Sequence, residues 1–437
     1  MIRVLTALWV LLIATPALAA VEIQEVTTEG GIDAWLVEEH SIPIVALDIR
    51  IEGGTSLDEA GKRGATNLMM ALIEEGAGDM DARAFQAARE DLAASFGFRA
   101  YDDTVMITAD FLKENQDEVI ALLREALITP RFDQDAIDRV RAQVLSGIAS
   151  DAKNPSRIAS AAFDGMAFGD HPYGTSPDGT VDSVSALTRE DMLTAHRNAL
   201  VGSRVYVGAV GDITPEELSE MLDTLLGDLP EDGPALPEDT DVALEGGVTV
   251  IDYETPQSVA LFGHQGIERD DEDFFAAYMI NHRLGGSGFE SRLMSEVREK
   301  RGLTYGIRTY LVPKFHAEVI LGNVASSNAT IAEAIDVTRA EWDRMATEGM
   351  TQEELDRIKT YLTGEYPLRF DGNAGIASIL VGMQVIGLPP EYVVNRNDYI
   401  EAVTVEDINR VAGELLRPED LHFVVVGQPE GLEQATD

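Results

Sequence analysis

The sequence predicts an α+β fold of two homologous domains, each an antiparallel-rich sheet with helices packed on one face. Three observations lead there. Strand-like runs mix with long helical periods in both halves, one closing unit occurs twice, and a proline- and acid-rich stretch separates the two copies. The 437 residues, 45% of them hydrophobic, carry enough apolar surface for two ordinary domains of about 200 residues each.

The first residues read as an export signal. Arg3 gives the positive start, 4–14 the apolar run, and Ala17-Leu18-Ala19 a small-x-small cleavage site, so 1–19 reads as a signal peptide and the mature chain is expected to begin at Ala20. An uncleaved N-terminal anchor is the alternative. That run is short for a bilayer, and no later stretch approaches about 20 consecutive apolar residues, so no stable membrane insertion is expected. Export across the inner membrane into the periplasm is the expected localisation. The absence of cysteine excludes disulfides, thiolate nucleophiles and thiolate-bound zinc. With 77 acidic against 33 basic residues the formal charge is −44, which argues against nucleic acid and anionic membranes as partners. A solvated acidic surface is the simplest account of it, and attraction of basic peptides a second.

In the first half, strand-like runs at 35–37 and 44–51 precede a β-branched run at 104–111, entered through the turn Tyr101-Asp102-Asp103. Apolar residues at three- and four-residue spacing predict helices at 115–127 and 133–149. The repeat then appears without a gap: SALTREDMLTAHRNALVGSRVYVGAVGD at 185–212 and EAVTVEDINRVAGELLRPEDLHFVVVGQ at 401–428. In each copy a Thr (Thr188, Thr404) has an Asp three positions on (Asp191, Asp407), the start of a capped helix. Each copy ends in an apolar strand closed by Gly211 or Gly427. Residues 229–247, with three prolines and no helix or strand period, form the linker, giving domains at 20–228 and 248–437. The second half opens on strands at 247–253 and 258–263. Periodicity through Phe289, Leu293 and Val297 predicts a helix stopped at Gly302, with Arg298 in its last turn and a strand at 303–310 behind it.

Several segments, in this order and with the repeat, resemble the pitrilysin/insulinase family of zinc peptidases, which includes the mitochondrial processing peptidase and its bacterial relatives. They are Glu38-Glu39-His40-Ser41-Ile42-Pro43-Ile44-Val45 as a first hairpin, Gly53-Gly54-Thr55-Ser56-Leu57-Asp58-Glu59, Gly64-Ala65-Thr66, Ile128-Thr129-Pro130-Arg131-Phe132 and His171-Pro172-Tyr173-Gly174. In the second half they are 284–293 and 298–305. Members that cleave peptides carry H-x-x-E-H on the helix after the glycine. Positions i and i+4 share a helical face and grip one zinc, and the Glu serves as general base. Anchored on Gly64 and Gly76, those positions here are Asn67, Met70 and Ala71, and the later Glu ligand falls at Gly147, beside Ser146. A thioether is no base, a methyl no ligand and an amide a weak donor, so the resemblance implies that this chain binds no zinc of its own. Glu74 and Glu75 could in principle rebuild a site, but two solvated acids at a helix end is the better account, since no His accompanies them. The seven histidines do not cluster in sequence, and each reads as a packed or surface group.

The second half keeps what the resemblance assigns to substrate: Arg298 and Tyr305, donors suited to a peptide carbonyl developing negative charge. On residue physics alone, Arg298 could merely complement a helix dipole and Tyr305 could be core, sharing a strand face with Leu303 and Ile307. The Gly285-Gly286-Ser287-Gly288 loop lacks the ending of a phosphate loop and suggests tight packing or chamber lining. Three functions follow. The first is a zinc-less subunit, inactive alone, that binds unfolded peptides and pairs with a homologous zinc-bearing subunit into a metalloendopeptidase. The second is a non-enzymatic peptide-binding or assembly protein, and the third an independent peptidase with an unrecognised metal site.

Overall fold

The computed structural model describes residues 22–432, so the expected signal peptide at 1–19 lies outside the described residues. In chain order the strands are β1 (Gln24–Thr27), β2 (Asp33–Glu38), β3 (Ile44–Glu52), β4 (Gly76–Ala77), β5 (Met80–Asp81), β6 (Ser95–Ala100), β7 (Thr104–Leu112) and β8 (Val205–Gly211), followed by β9 (Gly247–Asp252), β10 (Gln257–Gln265), β11 (Ile307–Pro313), β12 (Glu318–Ser327) and β13 (His422–Gly427). β4 and β5 form a small hairpin of their own. The others make a six-stranded sheet, β1-β2-β8-β3-β7-β6, and a five-stranded one, β9-β13-β10-β12-β11. Position by position the second repeats the first without β1. β8 runs parallel to β2 and antiparallel to β3, and β13 runs parallel to β9 and antiparallel to β10. The predicted α+β class and the two sheet-plus-helix halves are what the structure shows.

The repeat is visible down to its caps. Thr188 and Thr404 each form a reciprocal box with the Asp three residues on, starting the helices Arg189–Ala199 and Val405–Leu415. The predicted helices at 115–127 and 133–149 are found at Gln116–Ile128 and Gln134–Asp151. Two expectations need correction. The segment around His40 is not a paired hairpin, because β8 inserts between β2 and β3 and takes the hydrogen bonds of both. The strand expected at 303–310 begins only at Ile307 and runs to Pro313, and the helix before it is broken into a 3₁₀ turn, Gly288–Glu290, and a π-helical segment, Met294–Glu299.

Each half lends one helix to the other. Pro155–Phe168, in the first half, packs on β10 and β13, where Ala159, Phe163 and Ala167 share a buried cluster with Val319, Val424 and Val426. Asn373–Val385, in the second half, packs on β8 and β3, joining Ala377, Leu380 and Met383 to Trp35 and Val210. Between the helix Pro215–Leu226 and β9 the chain has no helix or strand. It is tied to both halves by backbone bonds, Thr240 N–H to the His316 carbonyl (2.8 Å) and Ala243 N–H to that of Ala167 (2.9 Å).

Gly211 and Gly427 close equivalent strands with φ of +146° and +153°, and a Cβ would stand 2.1 Å from the Ile44 carbonyl oxygen or 2.3 Å from the Ser258 hydroxyl. The backbone of β3 or β10 passes too close for any side chain. Gly427→Ala is therefore expected to destabilise the chain by about 1–3 kcal/mol, read as a lowered urea midpoint. An unchanged midpoint would contradict the close approach.

Candidate functional site

The helix Ala65–Leu72 starts at Gly64, whose φ of +92° only glycine adopts freely, and its first N–H groups are held by buried Asp58, which accepts from Gly64 N and Thr66 N at 2.8 Å each. The helix packs against Gln134–Asp151, so the scaffold that would join H-x-x-E-H to a later Glu is intact. Its side chains do not fit a metal. The Asn67 amide donates to Asp178 (2.8 Å), Met70 is buried in the core, Ala71 offers a methyl group, and Gly147 is exposed with open space where a side chain would be. Glu74 and Glu75 are not free solvated acids. Arg89 takes the first at 2.6 Å and Arg139 takes the second. Among the described residues, no three or more His, Cys, Asp and Glu side chains are grouped to hold a metal ion.

In the second half, the core alternative for Tyr305 is overturned. It precedes β11 rather than lying in it, and it is 89% exposed while Leu303 and Ile307 are buried. Arg298, half-buried in the last turn before Gly302, lies over the Phe289 ring at 4.8 Å. Among the described residues neither Arg298 nor Tyr305 has a side-chain hydrogen bond or an ion pair, and none links them to Asn67, Met70, Ala71 or Gly147. The glycine loop is a packing device: a Cβ on Gly285 would meet the Thr309 hydroxyl at 2.5 Å, so the loop lies directly on β11.

The fold also assembles a polar junction between the halves that the sequence did not disclose. Lys314, at the tip of the β11–β12 hairpin, pairs with Asp102 and sits 4.1 Å from the centre of the Tyr173 ring. The Tyr173 hydroxyl donates to Asp103 (2.6 Å) and accepts from His316 N–H (3.2 Å). Arg63 reinforces the same corner from the first half, donating to the carbonyls of Pro172 (3.0 Å) and Thr175 (3.1 Å). Two histidines far apart in sequence meet here, with the His171 and His316 rings 6.4 Å apart. His171 accepts from Tyr173 N–H and donates to the Glu238 carbonyl, and burial pushes it below its ordinary pKa. Turn-forming Tyr101-Asp102-Asp103 and the family-like His171-Pro172-Tyr173-Gly174 were the sequence traces of this socket. Their common partner, Lys314, had none. Of the other histidines, His196 donates to the Leu127 carbonyl and buried His264 accepts from Trp342 Nε1–H, while the buried Nδ1 of His282 has no partner among the described residues.

Beside the junction lies a cleft of about 770 Å³ with walls from both halves, Glu52 and Ile386 among them. Its charge is mainly acidic, from Asp239, Asp241, Glu268 and Glu318, and burial together with Glu268 and Asp239 raises the Glu318 carboxyl. Arg298 and Tyr305 are not among its lining residues.

Fold and site together define a two-domain peptidase scaffold without metal-binding residues at its motif positions. Family models agree: one described as insulinase (peptidase family M16) matches residues 35–177, and one described as peptidase M16 inactive domain matches residues 186–362. The chain belongs to the M16, or insulinase, family. It is 25% identical over 392 residues to a Helicobacter pylori protein named non-peptidase homolog YmxG, covering 89% of this chain and 90% of that one. It is 21% identical over 438 residues to a probable mitochondrial-processing peptidase subunit beta of Schizosaccharomyces pombe, covering 96% and 94%. Among solved structures, a Pseudomonas fluorescens peptidase M16 inactive domain superposes with a TM-score of 0.88 at 28% identity, covering 95% of this chain and 100% of that one.

Asp164, on the exchanged helix Pro155–Phe168, faces the junction. Burial pushes its carboxyl up to about 6, with Lys314 opposing the shift and Asp102 adding to it. Because the folded pKa lies above the ordinary 3.8, ionising Asp164 penalises the folded state, and the penalty grows as pH rises from about 4 through about 6. Asp164→Asn is expected to stabilise the chain by about 2–3 kcal/mol at pH 7.5, and the gain should vanish at pH 4. Thermal melts at the two pH values check this, and destabilisation at pH 7.5 would refute it.

Proposed function

We propose that the chain is the zinc-less subunit of an exported, heteromeric metallopeptidase, acting in the periplasm. It binds unfolded peptide and contributes Arg298 and Tyr305 to the zinc site of a homologous partner, which supplies the metal and the general base. One observation carries this reading: among the described residues, the Arg298 guanidinium and the 89%-exposed Tyr305 phenol have no hydrogen-bond or ion-pair partner, while the zinc positions have no ligands. Both groups are donors suited to a peptide carbonyl. Tyr305 also lies two residues before β11, an edge strand of its sheet, whose start is covered by Met294 Sδ at the Ile307 N–H and by the Gly285 loop at Thr309, so an extended peptide would pair with it only beyond Thr309. The acidic cleft between the halves suits basic segments of such a peptide. A relative named as a subunit of a processing peptidase is consistent with a two-chain enzyme.

A second reading, a non-enzymatic peptide-binding or assembly protein, is favoured by the relative named a non-peptidase homologue. Purification from the native source separates the two: capture of a zinc-bearing homologue supports the first, and capture of another partner without one supports the second.

Mixing the chain with its zinc-bearing homologue and following cleavage of an unfolded peptide tests the roles directly. Arg298→Ala should lower the rate of the assembled pair about 10- to 100-fold, and Tyr305→Phe somewhat less. Rates unchanged in both variants would remove the proposed role.

A further inference from the structure

Phe289 is 66% exposed although its loop is anchored on every side. Gly285 lies against Thr309, Arg283 donates to the Glu290 carbonyl (2.6 Å), and the buried Ser291 hydroxyl donates to the Gly288 carbonyl (2.8 Å). Gly288, with φ +62°, makes the turn that sends Phe289 outward. A phenylalanine held in water by so many restraints has lost the burial that usually fixes its place. What it meets is the Arg298 guanidinium, at 4.8 Å.

Neither acid flanking Arg298 in sequence pairs with it, and Glu299 beside it is exposed and makes no ion pair among the described residues. Glu296, two residues away, is taken by Lys300 (2.6 Å) and Arg301 (2.8 Å). Saturated by two other cations, it has little call on a third. A ring also holds a guanidinium in a way no carboxylate can: it engages the cation through its face and takes none of the N–H donors.

We infer that Phe289 is a positioning residue for Arg298, carrying the guanidinium on its ring so that its N–H groups stay free for a carbonyl oxygen of a bound peptide. The positioning stands on the contact itself, and the peptide part rests on the function proposed above. Glu296, held by Lys300 and Arg301, is the second component, since it does not compete with the ring for Arg298.

Two measurements on the full chain test this separately. Relaxation of the arginine Nε–H groups, with the Arg298 signal identified by its loss in Arg298→Lys, should show a rigid side chain in the wild type and in Phe289→Tyr. In Phe289→Leu, which keeps the bulk and loses the ring, the order parameter should fall toward about 0.6 or below. An unchanged order parameter in Phe289→Leu would overturn the inference. Binding of a fluorescein-labelled, unstructured 20-residue lysine-containing peptide is the second measurement. Phe289→Leu should weaken it by roughly two- to fivefold, Phe289→Tyr should restore it, and Phe289→Leu should add nothing in an Arg298→Ala background. Losses that add would overturn the inference. Absence of binding by the wild type would instead overturn the proposed function, leaving the relaxation result to decide the positioning.

Discussion

Each sheet has two faces to cover, and its own half supplies most of its helices to only one of them. The exchange of Pro155–Phe168 and Asn373–Val385 meets that demand, and the rest of the arrangement depends on it. β13 is buried at all six of its positions, which a sheet open to water on one face could not achieve. Separating the halves would expose the faces of β8 and β13 together with both exchanged helices. The linker can therefore lack regular structure without leaving the halves loose. Packing holds them together, and the Lys314–Asp102–Tyr173 junction selects one orientation, because a misplaced hairpin tip would leave Asp103 and Lys314 without partners.

That division explains what the sequence disclosed. Capping boxes are local, three residues from end to end, and both were legible at Thr188 and Thr404. Largely apolar runs such as 421–426 announced buried strands but not their neighbours, so the insertion of β8 between β2 and β3 was invisible. Amphipathic spacing shows that a helix has an apolar face and not which sheet receives it, so the exchange was hidden too. Phe289, Leu293 and Val297 match a helical period, but Gly288 and the π-helical segment break the helix and turn Phe289 out. At the site, the missing ligands were legible because the resemblance fixes their spacing. Asn67 with Asp178 and Arg298 with Phe289 were not, since these contacts need the folded chain.

The arginines of the chain meet its excess of acid in different ways. Acids outnumber bases by more than two to one, yet exposed Arg83, Arg99, Arg308 and Arg369 also make no side-chain hydrogen bond or ion pair among the described residues. Arg283 and Arg292 both reach Glu354. Burial works against that carboxylate's charge, yet the Thr351 N–H and the two guanidiniums hold it down to about 2. Arg410 spans Asp273 and Glu414. What sets Arg298 apart from those exposed arginines is its half-buried place over the Phe289 ring, 4.8 Å away.

The two halves of the candidate site have resolved their polar demands in opposite ways. Where a metal face would lie, the Asn67 amide is matched by Asp178, Glu74 by Arg89 and Glu75 by Arg139, and Met70 has joined the core. A helix face so tied has little affinity left to offer a ligand, because each new contact would first break an internal one. Among the described residues, Arg298 and Tyr305 make no side-chain hydrogen bond or ion pair that a new contact would have to break. A phenol this exposed buries too little surface to add much to folding. Binding energy at this site can therefore arise in the second half without being spent on rearrangement, and it is there that a peptide contact is physically least expensive.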